Sequence, residues 1–168
     1  MAIFWEKGFA DTSLQDLEKA TGVNRSGLYS EFRDKEDLFL EALRYYLANR
    51  GTRVILSQEP FGIVNLRRFL QIGETSMDGQ RGCFKINAMR ELPILPAEAR
   101  TLIEVSQRRV HRLLARNIRA AFPGADVTSL TEITMTFFTG LCLEQNLCAG
   151  SGATRRKVNR FLGLLRRM

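Results

Sequence analysis

Residues 12–34 read TSLQDLEKATGVNRSGLYSEFRD, and this stretch decides the fold of the first part of the chain. Thr12 and Gln15 form a T-x-x-Q pattern, in which each side chain can cap a free amide of a first helical turn. Gly22 suits the positive φ of a tight turn. Asn24 is a favourable N-cap for a second short helix. The stretch therefore predicts two short helices joined by a tight turn, which is a helix-turn-helix.

The flanking residues predict two further helices around this motif. One runs from Ala2 to Lys7 and ends at Gly8, and the other begins after the N-cap Asp34 and runs to about Arg50. The helix that follows Asn24 is expected to end near Glu31. The side chains expected to point into the core are Leu14, Leu17, Val23, Leu28, Phe32, Leu38, Phe39, Ala42, Leu43, Tyr46 and Leu47.

The first residues of the second motif helix can read DNA. Such a helix lies in the major groove with its N-terminal residues at the base edges. Arg25 can bond guanine through two hydrogen bonds, Asn24 and Ser26 can bond bases or phosphate, and Gly27 permits close approach of the backbone. The motif alone is equally typical of two short core helices in any helical bundle, so that alternative stays open at this point.

Residues 2–39, AIFWEKGFADTSLQDLEKATGVNRSGLYSEFRDKEDLF, resemble the DNA-binding domain of TetR/AcrR-type transcriptional repressors. The matching positions are Phe4, Gly8, Phe9, Thr12, Ser13, Leu14, Leu17, Gly22, Val23, Gly27, Leu28, Tyr29, Phe32, Lys35, Glu36 and Leu38. The resemblance implies that Thr12 touches phosphate and that Arg25, Ser26 and Gly27 read bases. It also implies that Tyr29 and Lys35 bond the flanking DNA backbone.

The chain departs from the family pattern at two places. Glu18 stands where the family often has a small residue, so we expect a less close contact between the motif helices. The family's first helix is also longer than the one predicted from Ala2, so part of the third and fourth helices is expected to be uncovered. A TetR-like dimeric interaction module without DNA binding is therefore the alternative function.

The composition excludes several other classes of protein. The chain has 168 residues, of which 45% are hydrophobic and 26% charged, and no run of 18 apolar residues occurs. Three cysteines without a CxxC pair and the single His111 give no disulfide framework, metal cluster or catalytic triad. We therefore expect a cytoplasmic protein that is not an enzyme and uses neither membrane, metal nor cofactor.

The net charge of +7 does not by itself locate a DNA-binding face. Residues 1–50 hold seven Lys and Arg against nine Asp and Glu, whereas the remainder holds 18 against nine. Much of the excess follows the predicted helix 97–122, whose outer face carries Arg100, Arg108, Arg112, Arg116 and Arg119. We interpret this stripe as a solvated face and leave open a second nucleic-acid surface.

The pattern after residue 48 has the helical period throughout, which makes the whole chain all-α. Helices are predicted near 62–77, 82–92, 97–122, 126–149 and 154–167. The expected domains are a helix-turn-helix domain over 1–48 and a helical effector-binding and dimerisation domain over 49–168, the second role being implied by the resemblance. The helix at 126–149 is apolar nearly all round, so we expect a homodimer through it and 154–167.

An effector pocket is expected among the first four helices of this second domain, for an unknown small molecule. The expected inner side of helix 97–122 carries Leu102, Val105, Leu113 and Ile118. Candidate pocket walls are Phe69, Ile72, Phe84, Met89, Leu114, Met135 and Phe138. Candidate polar contacts are Asn87, His111, Gln145 and Asn146. The opposing interpretation is that such Met and Phe residues at helical spacing form plain core.

Overall fold

The computed structural model describes residues 1–72, 80, 82–146 and 151–167, and it is all-α, which confirms the predicted fold class. Ten helices lie in these ranges. They are α1 (Ala2–Lys7), α2 (Leu14–Thr21), α3 (Arg25–Glu31), α4 (Lys35–Asn49), α5 (Thr52–Ser57), α6 (Ile63–Gln71), α7 (Phe84–Met89), α8 (Ala97–Ala121), α9 (Val127–Gln145) and α10 (Ser151–Leu165).

The chain divides into two compact units. The first contains Met1–Asn49 and Phe84–Val105, hence α1 to α4, α7 and the beginning of α8. The second contains the described parts of 50–77, 81–83 and 106–168, hence α5, α6, the rest of α8, α9 and α10. The predicted division into functional domains at residues 48 and 49 stays a prediction.

Aromatic side chains form the core of the first unit. The Trp5 ring packs edge-on to Tyr46, with centroids 5.0 Å apart, and Phe39 packs edge-on to Phe4 at 5.3 Å. Phe84 of α7 lies 6.0 Å from Trp5 and 5.6 Å from Phe39. All five rings are almost inaccessible to solvent. Burial of so much aromatic area gives α1 and α4 a fixed surface on which to hold the helix-turn-helix.

The second unit is held together by apolar packing and one buried polar network. α6 packs against α5 and α10, and Phe69 of α6 stacks on Phe138 of α9 with ring centroids 4.3 Å apart. The fully buried Asn117 of α8 accepts hydrogen bonds from Gly62 N–H (3.0 Å) and Asn65 Nδ2 (2.9 Å). Its own Nδ2 donates to the carbonyls of Leu56 (2.8 Å) and Leu113 (2.9 Å).

Several expectations about the later helices were wrong in detail. α5 was not predicted, α7 ends at Met89 rather than near residue 92, and α10 begins at Ser151 rather than 154. Val105 is 47% exposed instead of inward, because Ala99, Ile103, Leu114, Asn117 and Ile118 form the buried side of α8. All five arginines of the predicted stripe are exposed. The predicted helix ends at 77 and 149 lie outside the described residues.

Candidate functional site

Helix α2 begins one residue later than the sequence pattern predicted, so the T-x-x-Q capping box was wrong. Ser13 is the N-cap: its hydroxyl accepts from Asp16 N–H (3.1 Å), and the Asp16 carboxylate accepts from Ser13 N–H (2.9 Å). A hydrogen bond from Lys7 and these bonds from Ser13 hold the pKa of Asp16 well below its ordinary value. The bonds that the Asp16 carboxylate accepts are therefore present at neutral pH and weaken as the pH falls through its lowered pKa.

Thr12 is fully buried, and its hydroxyl donates to the carbonyl of Gly8 (2.5 Å). The Thr12 hydroxyl is thus bonded within the chain, and its contact with phosphate stays a prediction. Ser13 is exposed at the start of the same helix. The sequence pattern did not indicate Ser13 as the N-cap, because two adjacent hydroxyl residues both fit that position.

Helix α3 has the predicted bounds and the predicted cap. Asn24 is exposed, and its Oδ1 accepts from Gly27 N–H at 2.9 Å. Leu28 is buried and anchors the helix, whereas Val23 is 41% exposed, so its predicted role as a core anchor was wrong. A Cβ on Gly27 would lie 2.7 Å from Val23 Cγ1. A side chain at position 27 would therefore require Val23 to shift, whatever it does to the approach to DNA.

The exposed face of α3 presents Arg25, Ser26 and Tyr29 together. The Arg25 guanidinium lies 5.6 Å from the centre of the Tyr29 ring, which is 38% exposed. Glu18 does not loosen the motif, because its carboxylate accepts the backbone N–H of Arg25. That bond satisfies one of the free amides of the first turn and joins α2 to the start of α3.

Lys35 supports the connection between α1 and α2. Its Nζ donates to the carbonyls of Phe9 (2.9 Å) and Thr12 (3.0 Å) and lies 4.4 Å from the centre of the Phe9 ring. An ammonium group has three donors, so one remains for the phosphate contact that the resemblance implies. Lys35 therefore has a structural role that the sequence did not indicate.

Glu91, from the segment after α7, fixes the same connection from another side. Its two carboxylate oxygens accept the backbone N–H groups of Phe9 and Ala10, each at 2.8 Å. A Cβ on Gly8, whose φ is +84°, would lie only 2.8 Å from Glu91 Oε2. Glu91 and Lys35 thus hold the residues that set the position of α2 and α3.

We expect Glu91→Ala to lower the free energy of unfolding of the first unit by about 1–3 kcal/mol, because two amides lose a charged acceptor. Urea unfolding followed by the fluorescence of Trp5 measures this change. Glu98→Ala is the control, since Glu98 makes an exposed pair with Arg44 and such pairs contribute about 0–1 kcal/mol. An equal, small loss in both variants would contradict the role given to Glu91.

The predicted effector residues fall into two groups. Phe84 and Asn87 belong to the first unit, where Phe84 is core. Phe69, Met135 and Phe138 are buried in the second unit, and Phe69 stacks on Phe138. His111 is half-buried, and its Nε2 is enclosed without a hydrogen-bond partner among the described residues. Whether these residues bind an effector stays a prediction.

A cleft of about 500 Å³ in the second unit lies elsewhere. It is formed by the connection between α5 and α6, the first turns of α6 and the ends of α8 and α10, and it contains none of the predicted effector residues. Arg68 and Arg166 lie in its lining. Its floor includes Phe61, whose ring centre is 4.3 Å from the Arg116 guanidinium.

In the described part of the chain, every helix is too short or too polar to span a membrane. No group of three or more His, Cys, Asp or Glu side chains in that part is placed to hold a metal ion.

Known proteins match this chain over both the motif and the full length. Residues 1–42 match the family model described as bacterial regulatory proteins, tetR family. The HTH-type transcriptional repressor ComR of Escherichia coli is 31% identical over 180 aligned positions, covering 100% of this chain and 84% of ComR. The chain belongs to the TetR family. The predicted family is thereby confirmed.

Solved structures share the fold of this TetR-family chain. A TetR-family regulator from Agrobacterium tumefaciens superimposes with a TM-score of 0.81 at 18% identity, covering 98% of this chain and 90% of that one. A cysteine mutant of the TetR-family regulator CifR gives 0.76 at 24% identity, covering 95% and 90%. The matched curated relatives are named as transcriptional regulators, in agreement with the prediction that the chain is not an enzyme.

Proposed function

We propose that this transcriptional regulator is a cytoplasmic repressor that binds a partly palindromic operator in double-stranded DNA as a homodimer and releases it when a small-molecule effector binds. The observation that carries the DNA-binding proposal is the exposed Arg25, Ser26 and Tyr29 face of a helix that is capped by Asn24 and joined to α2 by Glu18. CifR was solved with a 26-bp operator DNA, and ComR is named a repressor.

Each residue of the recognition helix has a distinct part in this proposal. Arg25 is the long cationic side chain of α3, and it reads a guanine edge through two hydrogen bonds. Ser26 and the Asn24 amide bond bases or phosphate, and Gly27 keeps the backbone close to the groove. Tyr29 and the third donor of Lys35 bond phosphates, which fixes register without reading sequence.

Exposed apolar and small residues on α9 and α10 support the homodimer. Ile133 is 44% exposed and Leu143 39% exposed on α9, and Leu164 is 60% exposed on α10. Gly140 lies between Ile133 and Leu143 on the same side of α9, and a Cβ added there would meet no atom within 4 Å. A second copy would bury this side, with an interface on the order of 2,000 Å². Such a dimer presents two recognition helices to two half-sites.

The effector response is supported by the interior of the second unit. Phe69, Met135 and Phe138 provide apolar walls, and the enclosed Nε2 of His111 provides a polar atom without a hydrogen-bond partner in the described ranges. Ligand sites in proteins combine such walls with a few polar groups. The effector lowers DNA affinity only if it binds more tightly to the conformation that does not fit the operator.

A binding selection on genome fragments tests the proposal and yields the operator. We expect Arg25→Ala to weaken operator binding by about 1–3 kcal/mol and to change binding to random DNA much less. Arg100→Ala, which removes the same charge from an exposed site on α8, should leave the difference between operator and random DNA unchanged. A chain that selects no sequence, with or without added upstream residues, would instead favour the dimeric interaction module.

A further inference from the structure

Two buried side chains on one side of α9 have polar atoms that no described residue satisfies. Thr134 is fully buried, and its Oγ1 has no hydrogen-bond partner. Gln145 is 8% exposed, and both its Oε1 and its Nε2 are enclosed and unpaired. Each such atom destabilises the folded state, because it has lost its hydrogen bonds to water without gaining others. Natural proteins leave few of them, and each one requires a physical explanation.

Neighbouring residues show that this helix normally satisfies its polar groups. Thr131, one turn before Thr134, is also buried, but its hydroxyl donates to the carbonyl of Val127 at 2.6 Å. In the same unit the fully buried Asn117 makes four hydrogen bonds. The unpaired atoms of Thr134 and Gln145 therefore differ from these satisfied groups, and with His111 they form a small set of unpaired groups in this unit among the described residues.

The side of α9 between these two residues is apolar. Phe138 and Leu141 lie between Thr134 and Gln145 at helical spacing, and both are buried. Phe138 stacks on Phe69 of α6, so this side of α9 faces the interior of the unit. Thr134 and Gln145 are separated by eleven positions, or about 16 Å of helix. The interior therefore offers hydrogen-bonding groups at two ends of an apolar stretch.

No charged side chain is buried on this side of α9. On α9 itself a charged ligand group would find no charged partner, and burying it unpaired would cost far more than burying a hydroxyl or an amide. Threonine and glutamine together offer both donors and acceptors, as neutral alcohols, amides and carbonyl compounds require.

We propose that Thr134 and Gln145 are the polar contacts of the effector, and that the effector is an uncharged, elongated molecule with an apolar middle and a hydrogen-bonding group at each end. This inference rests on the proposed effector response and names its ligand class. The effector supplies the hydrogen bonds that the folded chain lacks. The effector-free protein is accordingly less stable than it would be with apolar residues at these two positions.

Thermal unfolding of four variants tests the state of these atoms without any ligand. Thr134→Val and Gln145→Leu should each raise Tm by roughly 2–4 °C, because an unpaired polar group is replaced by an apolar one of similar shape. Asn117→Leu, one control, should lower Tm because Gly62 N–H and Asn65 Nδ2 lose their acceptor. Thr131→Val, the second control, should change Tm little, because its hydroxyl shares the Val127 carbonyl with a helical N–H. An unchanged or lower Tm in Thr134→Val and Gln145→Leu would mean that the groups are already satisfied, and it would overturn the proposal.

The same assay with 1,8-octanediol and with suberate tests the ligand class. The diol should raise the Tm of the wild-type protein, suberate should not, and the shift should disappear in Thr134→Val and Gln145→Leu. Stabilisation by suberate, by neither molecule, or by the diol in both variants would overturn the assignment. Neither thermal unfolding assay contains operator DNA. A protein that binds the diol through these residues and keeps its operator would therefore preserve this inference and refute the proposed effector response.

Discussion

Gly140→Glu is expected to convert the proposed dimer into monomers and to weaken operator binding at least about 100-fold. Gly140 is exposed on α9, and a Cβ added there would meet no atom within 4 Å among the described residues outside the adjoining helix backbone. The variant should therefore fold normally. In the dimer the symmetry of the interface would bury two new carboxylates among apolar side chains such as Ile133, and unpaired buried charges cost several kcal/mol.

Sedimentation equilibrium at micromolar concentration measures the association of this variant, and DNA binding is measured on the same samples. Ala48→Glu adds the same charge at an exposed position of α4 and should stay dimeric. If Gly140→Glu sedimented as a dimer, the two copies would associate through another surface. If the wild-type chain were itself monomeric, the dimer proposal would fail.

Asn117→Ala is expected to lower the free energy of unfolding of the second unit by about 3–5 kcal/mol. The substitution removes the acceptor for Gly62 N–H and Asn65 Nδ2, and it removes the donor to the carbonyl of Leu56. Each buried group left without a partner costs about 1–3 kcal/mol. A loss of this size is a large fraction of the stability of a domain.

Urea unfolding followed by circular dichroism measures the loss. Asn159→Ala is the matched control, since Asn159 is exposed and bonds only the Arg67 guanidinium in the described part of the chain, so its loss should stay below about 1 kcal/mol. A comparable, small effect in both variants would contradict the role given to the Asn117 network.

The N-terminal helices could be predicted because their signals are local. Gly8, Gly22, Asn24 and Asp34 each end or begin a helix through contacts within a few residues, and α1 and α3 have the predicted bounds. The cap of α2 was misplaced because Thr12 and Ser13 both fit the pattern. Thr12 is buried in the folded chain and Ser13 is not, and a sequence pattern does not show which of two adjacent residues is buried.

The remaining functional residues depend on contacts between distant parts of the chain. Glu91 meets Phe9 and Ala10 across more than eighty positions, and Asn117 meets Leu56 across sixty-one. Neither contact produces a periodic pattern in the sequence from which it could be predicted. Gln145 and His111 could be proposed as polar residues at inward positions, but that their atoms lack partners appears only in three dimensions.

The central claim is that Arg25 reads a base from the start of α3. A scan of every base-pair substitution in the selected operator, with the wild-type protein and with Arg25→Ala, tests it most directly. We predict that the wild-type protein loses about 1–3 kcal/mol when one G·C pair per half-site is changed, and that Arg25→Ala is indifferent to that pair alone. If Arg25→Ala kept the same base preferences at every position, α3 would not read the operator through Arg25.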